Sequence, residues 1–91
     1  MIRHSRATGD FWRAYEALPA EVRKRADVAY RLWRQNPEHT GLQFKRVGIE
    51  EPFYSVRIGL RWRAVGLLER DTMVWFWIGS HAEYDRLLAK L

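Results

Sequence analysis

The run Phe53-Tyr54-Ser55-Val56-Arg57-Ile58-Gly59-Leu60-Arg61-Trp62-Arg63-Ala64-Val65-Gly66 decides how this chain folds. Apolar and polar side chains alternate on both sides of Gly59-Leu60-Arg61, the period-two pattern of two half-buried strands joined by a turn. The register follows from side-chain chemistry, because a slip of one residue moves every side chain to the other face. A two-residue turn at Gly59-Leu60 would pair Arg57 with Trp62 and Arg63 with Val56, mixing charge into both faces. A three-residue loop from Gly59 to Arg61 instead puts Tyr54, Val56 and Ile58 on one face with Trp62, Ala64 and Gly66, and sets Arg57 directly opposite Arg63.

Downstream, the turn at 69–72 leads into a strand over 73–78, placing Gly66 opposite Trp75 and Ala64 opposite Trp77, small residues against large ones. Upstream, the same alternation over 42–47 adds another strand. The reading is an antiparallel meander of strands at 42–47, 53–58, 62–68 and 73–78. Its second face carries Val65, Leu67, Val74, Phe76 and Ile78, with the two arginines at one end.

Ahead of the breaker-rich stretch 36–41 the period changes to that of a helix. Phe11, Ala14, Tyr15 and Leu18 form one apolar stripe, and Val22, Ala26, Ala29, Tyr30 and Trp33 form a second. Pro19 and Glu21 mark the start of the second helix, and Asn36-Pro37 its end. Residues 2–5 form a candidate short first strand. Tyr84, Leu87, Leu88 and Leu91 recur at helical spacing, so a closing helix begins at about Ser80, whose hydroxyl caps it. The fold class is α+β: a short N-terminal strand, a helical hairpin packed on the Trp-bearing face of an antiparallel β-meander, and a short C-terminal helix over part of the other.

Ninety-one residues suit one domain spanning 1–91. With no Cys, disulfides, zinc ribbons and thiolate chemistry are excluded. His4, His39 and His81 lack metal-ligand spacing, and no Walker, GxGxxG, HExxH or GxSxG motif occurs. The expectation is a chain without metal or cofactor. The charged N-terminus and the lack of a long apolar window predict a cytoplasmic protein with no membrane association. The net charge is +5, and of sixteen basic residues only Lys24, Lys45 and Lys90 are not Arg. Arginine's planar fork clamps phosphate bidentately, so the partner expected is a polyanion, either nucleic acid or an acidic protein.

Like charges facing each other across two strands repel by up to about 1 kcal/mol, and an anion held between Arg57 and Arg63 removes that cost. His81, Tyr84 and Asp85 stand at i, i+3 and i+4 on the first turn of the closing helix. Arginines that hold a phosphate beside a His81 or Tyr84 that moves protons make a phosphodiester site. The plainer account of the same residues has the guanidiniums in water or paired with Glu50, Glu51 or Asp85, Tyr84 in a packing stripe and His81 decorating a helix start. Lys45, Arg46 and Arg61 are candidate phosphate contacts. Of the five tryptophans, Trp75 and Trp77 belong to the core face, leaving Trp12, Trp33 and Trp62 for base stacking.

The segments Phe44-Lys45-Arg46-Val47-Gly48, 53–66 and Val74-Trp-Phe-Trp-Ile-Gly-Ser-His-Ala-Glu-Tyr-Asp-Arg-Leu-Leu88 together resemble the RelE/ParE toxin superfamily of bacterial toxin–antitoxin systems, in its translational-repressor branch. The resemblance implies a metal-independent, ribosome-dependent mRNA endoribonuclease, acting through attack of the ribose 2′-hydroxyl on the adjacent phosphate, with a cognate antitoxin, mRNA and the ribosome as partners. By the same resemblance Arg63, after the aromatic Trp62, takes the place of the family's phosphate-stabilising arginine. Arg57 takes a basic position of the preceding strand, and Ser55 stands where some members carry lysine. His81 falls where others have arginine or histidine, and Tyr84 lies near the family's terminal-helix tyrosine. Gyrase-inhibiting members share the fold, so a ParE-like gyrase inhibitor and a non-catalytic nucleic-acid-binding module stand as alternatives.

Overall fold

Arg57 and Arg63 are direct partners across the hairpin, with Ile58 paired to Trp62 around a three-residue loop. This register comes from a computed structural model that describes residues 2–91. Strands β1 (His4–Ala7), β2 (Lys45–Arg46), β3 (Phe53–Ile58), β4 (Trp62–Glu69) and β5 (Thr72–Ser80) form one sheet in the order β1-β5-β4-β3-β2. Helices α1 (Gly9–Glu16) and α2 (Ala20–Gln35) form the hairpin expected, and α3 (His81–Leu88) follows β5 with no intervening loop. Gly59 sits at φ +62, a left-handed conformation that the loop needs and that other residues adopt only at a cost.

Three expectations require correction. The first strand covers His4–Ala7, not 2–5, and it lies parallel to β5 along the sheet edge, so the sheet is mixed. The strand expected over 42–47 shrinks to Lys45–Arg46, because Thr40–Leu42 forms a 3₁₀ turn and Gln43 adopts a left-handed φ of 45, which breaks an extended run. That turn buries Leu42 in the core instead of continuing the sheet.

The third correction bears on the site. Gly66 does face Trp75, but the next partner of β4, Val65, faces Trp77, so Phe76 is an extra residue in β5. A bulge of this kind reverses the alternation beyond it. Ala64 therefore faces Ile78 rather than Trp77, and Gly79 rather than Ile78 shares the arginine face with Arg63. Ile78 joins the core under the helices, and the Trp77 ring stands 6.4 Å from that of Tyr84 on the opposite side of the sheet.

Between the helical hairpin and the sheet lie Leu18, Val22, Trp33, Ile58, Met73 and Trp75, all buried. Trp33 meets Trp75 edge to face at 5.1 Å and Phe44 at 5.7 Å. Thr8 caps α1 by accepting the Phe11 N–H, and the Trp75 indole donates to the Ser5 hydroxyl of β1 at 3.1 Å. On the other face Val65 is fully buried beneath the α3 side, while Phe53, Leu67, Phe76 and Trp77 stay half-buried.

Candidate functional site

On the α3 side of the sheet, the strand register lays out two rows of side chains. One runs Lys45, Ser55, Val65, Trp77 and the next Arg57, Arg63, Gly79. The second row ends in a glycine for a steric reason: a Cβ on Gly79 would come within 2.7 Å of the Trp77 ring. With Trp77 folded over that position, β5 runs straight into the first turn of α3.

That turn is fixed from two sides. Ser80 accepts the Glu83 N–H at 3.2 Å while the Glu83 carboxylate accepts the Ser80 N–H at 3.1 Å and its hydroxyl at 2.9 Å, a reciprocal capping box. These bonds favour the ionised carboxyl, so the Ser80 amide, then its hydroxyl, hold Glu83 below its ordinary pKa. The His81 N–H donates to the Arg61 carbonyl at 2.7 Å, tying the helix start to the β3–β4 loop. The arginine hairpin and the His81 turn are thus one unit.

Tyr84 lies at the centre of that unit. Its ring is buried, its hydroxyl donates to the buried Ser55 hydroxyl at 2.9 Å, and the Arg63 guanidinium carbon sits 5.8 Å above its centroid. The His81 ring stands at 6.0 Å from the Tyr84 ring, and His81 Nδ1 is 3.3 Å from Asp85 Oδ2. The carboxylate orients the imidazole, leaving Nε2 as the ring nitrogen without a protein partner in the pair. The phenol, in contrast, has its hydroxyl engaged inside the protein.

The cations are free of carboxylates. The Arg57 Nε–H donates to the Gly59 carbonyl at 2.9 Å and an Arg63 terminal N–H to the Trp62 carbonyl at 2.8 Å. Among the described residues neither arginine, nor Lys45 or Arg61, has an acidic oxygen within 4.0 Å. Glu50 and Glu51 do not pair with the arginines, and Asp85 is taken by His81. Partial burial, then the charge of Arg57, push the Arg63 guanidinium below its ordinary pKa, with Tyr84 and Asp85 working the other way. An anion between the two arginines would relieve both penalties.

Five of the expected residues are therefore brought together: Arg57, Arg63, His81 and Tyr84, with Arg61 in the loop that anchors α3. Lys45 shares their face one row away, exposed and opposite Ser55. Arg46 does not join them, because it pairs with Tyr54 on the helical face and its guanidinium donates to the Gly48 and Ile49 carbonyls at 3.0 and 3.3 Å. Sequence reasoning missed Ser55 as the internal partner of Tyr84 and Trp77 as a wall of the site. The Ser80-x-x-Glu83 spacing was a readable signal for the capping box; nothing in the local pattern announced the bulge that moves Trp77. Among the described residues no group of three or more His, Cys, Asp or Glu could hold a metal ion, and no helix is long and apolar enough to cross a membrane.

A family model described as the ParE-like toxin domain matches residues 20–86, which takes in the second helix, the whole meander and the His81 turn. The chain belongs to the ParE-like toxin domain family. It is thereby a toxin of the RelE/ParE superfamily, and solved structures agree on the fold. A chain of the RelB-RelE antitoxin-toxin complex from Methanococcus jannaschii superposes with a TM-score of 0.70 at 17% identity, covering 88% of this chain and 95% of that one. YafQ from E. coli gives 0.70 at 13% identity, over 90% and 97%. The isolated E. coli RelE toxin gives 0.62 at 10% identity, over 97% and 98%. No curated protein sequence matches the chain.

Proposed function

We propose that this toxin domain is a metal-independent mRNA endoribonuclease that acts on translated message. The observation that carries the reading is the Arg57–Arg63 pair, two guanidiniums facing each other without carboxylate partners and joined through the Arg61–His81 bond to a solvent-exposed imidazole. Phosphodiester cleavage by a neighbouring 2′-hydroxyl needs negative charge stabilised on the pentacoordinate phosphate and protons moved on either side of it. Arg63 supplies the first, Arg57 positions the phosphate, and His81, oriented by Asp85, exchanges a proton with the attacking or leaving oxygen. Tyr84 is a positioning residue: its ring carries Arg63 and His81, and its hydroxyl is spent on Ser55. Lys45 and Arg61 contact flanking phosphates, which a chain of net charge +5 favours. Arg46 serves the 48–49 loop.

An antitoxin is the protein partner. The matched archaeal structure is an antitoxin–toxin complex. Here the half-buried strip of Phe53, Leu67, Phe76 and Trp77 beside the arginines offers a partner both apolar area and positive charge. An acidic chain laid over that strip would also mask the site.

The test is primer extension on mRNA translated in a purified system with wild type, His81→Ala and Arg63→Ala. Discrete cleavage by wild type that falls at least about tenfold in His81→Ala is expected from loss of a proton-transfer group. Equal cleavage by all three proteins removes the site assignment, and intact RNA with stalled gyrase–DNA complexes makes the chain a gyrase inhibitor.

A further inference from the structure

The break at Gln43 opens the molecule beside the arginine hairpin. With Thr40–Leu42 turned into the core and β2 pairing β3 only at Tyr54 and Ser55, the edge of β3 at Arg57 has no strand beside it among the described residues. Helix α2 and Gly41 border that edge instead, and an open groove of about 370 Å³ runs between them to Gly59. Glu21, Lys24, Arg25, Val28 and Leu32, at i, i+3, i+4, i+7 and i+11, are the side of α2 that forms its helical wall.

Two guanidiniums converge on Gly59. Arg57 donates to its carbonyl at 2.9 Å, and a Cβ on this glycine would come within 3.2 Å of Arg25 Nη1, so Arg25 is folded down onto the loop. Arg57 in turn faces Arg63 across the strands. Three cations therefore run in series from the α3 face, round the loop, to α2. Among the described residues Arg25 has no acidic oxygen within 4.0 Å, and the carboxylate in the groove wall, Glu21, lies 3.8 Å from Lys24. Beside Arg25 the wall is hydrocarbon, with Val28 55% exposed and Leu32 half-buried.

An anion between Arg57 and Arg63 leaves Arg25 without a counter-charge, whereas a polyanion with one charge per repeat serves all three. Charge alternating with flat, largely apolar rings is the pattern of a single nucleic-acid strand, and the groove presents cation beside hydrocarbon to match it. An acidic peptide brings the charge without the rings. We infer that the groove is a second phosphate site for the same RNA strand: Arg25 holds a phosphate flanking the one between Arg57 and Arg63, and a nucleoside lies against Val28 and Leu32. This inference rests on reading the arginine pair as a phosphodiester site and gives the strand its direction away from that site, over Gly59 and along α2.

The probe is a 2′-O-methyl hexauridylate, whose blocked hydroxyls prevent cleavage. It is titrated calorimetrically at several salt concentrations into wild type, Arg25→Ala, Arg63→Ala and Arg31→Ala, the last removing the same charge from α2 outside the groove. Arg25→Ala should bind about fivefold more weakly, the ordinary net worth of one hydrogen-bonded contact. Its log–log salt slope should be shallower than wild type by about 0.7, one phosphate on a single strand, while Arg31→Ala keeps the wild-type slope. Val28→Glu, an exposed change to a good helix former, should reproduce the weakening with an unchanged circular dichroism spectrum. Equal slopes in Arg25→Ala and Arg31→Ala, or a wild type that does not bind, overturn the groove, and Arg63→Ala binding as wild type overturns the shared strand. Hexaglutamate that binds more tightly than the oligonucleotide and is lost in Arg25→Ala makes the groove a protein site and also overturns it. Cleavage of translated mRNA decides the arginine pair separately, so either reading can fail alone.

Discussion

Arg63→Ala separates the chemical role of the arginine pair from its structural one. In the folded protein the Arg63 guanidinium makes one hydrogen bond to a backbone carbonyl, lies over the Tyr84 ring and faces the like charge of Arg57. Losing the hydrogen bond costs about 1 kcal/mol. Losing the cation–π contact costs about 0.5–1 kcal/mol at a partly exposed position. Removing the repulsion from Arg57 returns up to about 1 kcal/mol. With the repulsion returned in full the balance is a loss of about 0.5–1 kcal/mol, and no core volume is lost, so urea unfolding should show a stability loss of about that size. Transition-state charge stabilisation by a comparable donor is worth about 3 kcal/mol, or two orders of magnitude in rate. Cleavage rates from primer extension on translated mRNA, set beside urea unfolding of the same preparations, give both numbers. Arg63→Lys should fall between, since it keeps the charge and loses the planar fork. A rate within threefold of wild type, or a rate loss matched by unfolding, refutes the role assigned to Arg63.

Tyr84→Phe removes the bond to Ser55 and leaves a buried hydroxyl unpaired, so it should destabilise the domain by about 1–2 kcal/mol in urea, with cleavage at saturating substrate little changed because the ring platform remains. A loss of cleavage as large as that of His81→Ala would return Tyr84 to proton transfer. Ser80→Ala breaks the capping box and should cost about 1 kcal/mol. The Glu83 carboxyl is held below its ordinary 4.5, so its contribution is complete above that value and is lost as pH falls through the lower folded-state value. Urea midpoints measured from pH 7 to pH 3 should therefore fall less steeply in Glu83→Gln than in wild type. Deleting Phe76, the extra residue of the bulge, leaves Trp75, Trp77 and Ile78 facing the sides they already face. It should cost only the half-buried ring and its 5.7 Å contact with Phe53, about 1–3 kcal/mol, whereas deletion of Val74 should prevent folding; circular dichroism melts of the two deletions decide.

The β3–β4 half of the site was legible because two opposed demands met in it. Arg57 and Arg63 had to leave the Trp-bearing face together, and only the three-residue loop lets them do so. The helical hairpin was legible for a similar reason, since its stripes and its Pro19 and Asn36-Pro37 boundaries are local signals. Strand β1 was not, because pairing parallel to β5 is a contact with a segment some seventy residues away that leaves little mark on four residues of sequence. The same holds for Phe76. Phe, Trp and Ile at 76–78 are all apolar, so neither face of the strand objects to a reversal of alternation, and period-two reading passes through the bulge unaware of it. Its consequence nevertheless reaches the candidate site: the reversal takes Trp77 off the core, puts Gly79 opposite Arg63, and lets Trp77 close over that glycine against Tyr84. The expectation that β5 would deliver His81 beside the arginines was right for a wrong intermediate, Ile78 on the arginine face. What brings the groups together is the bulge, the capping box at Ser80 and the His81 bond to the loop that the arginine register itself requires.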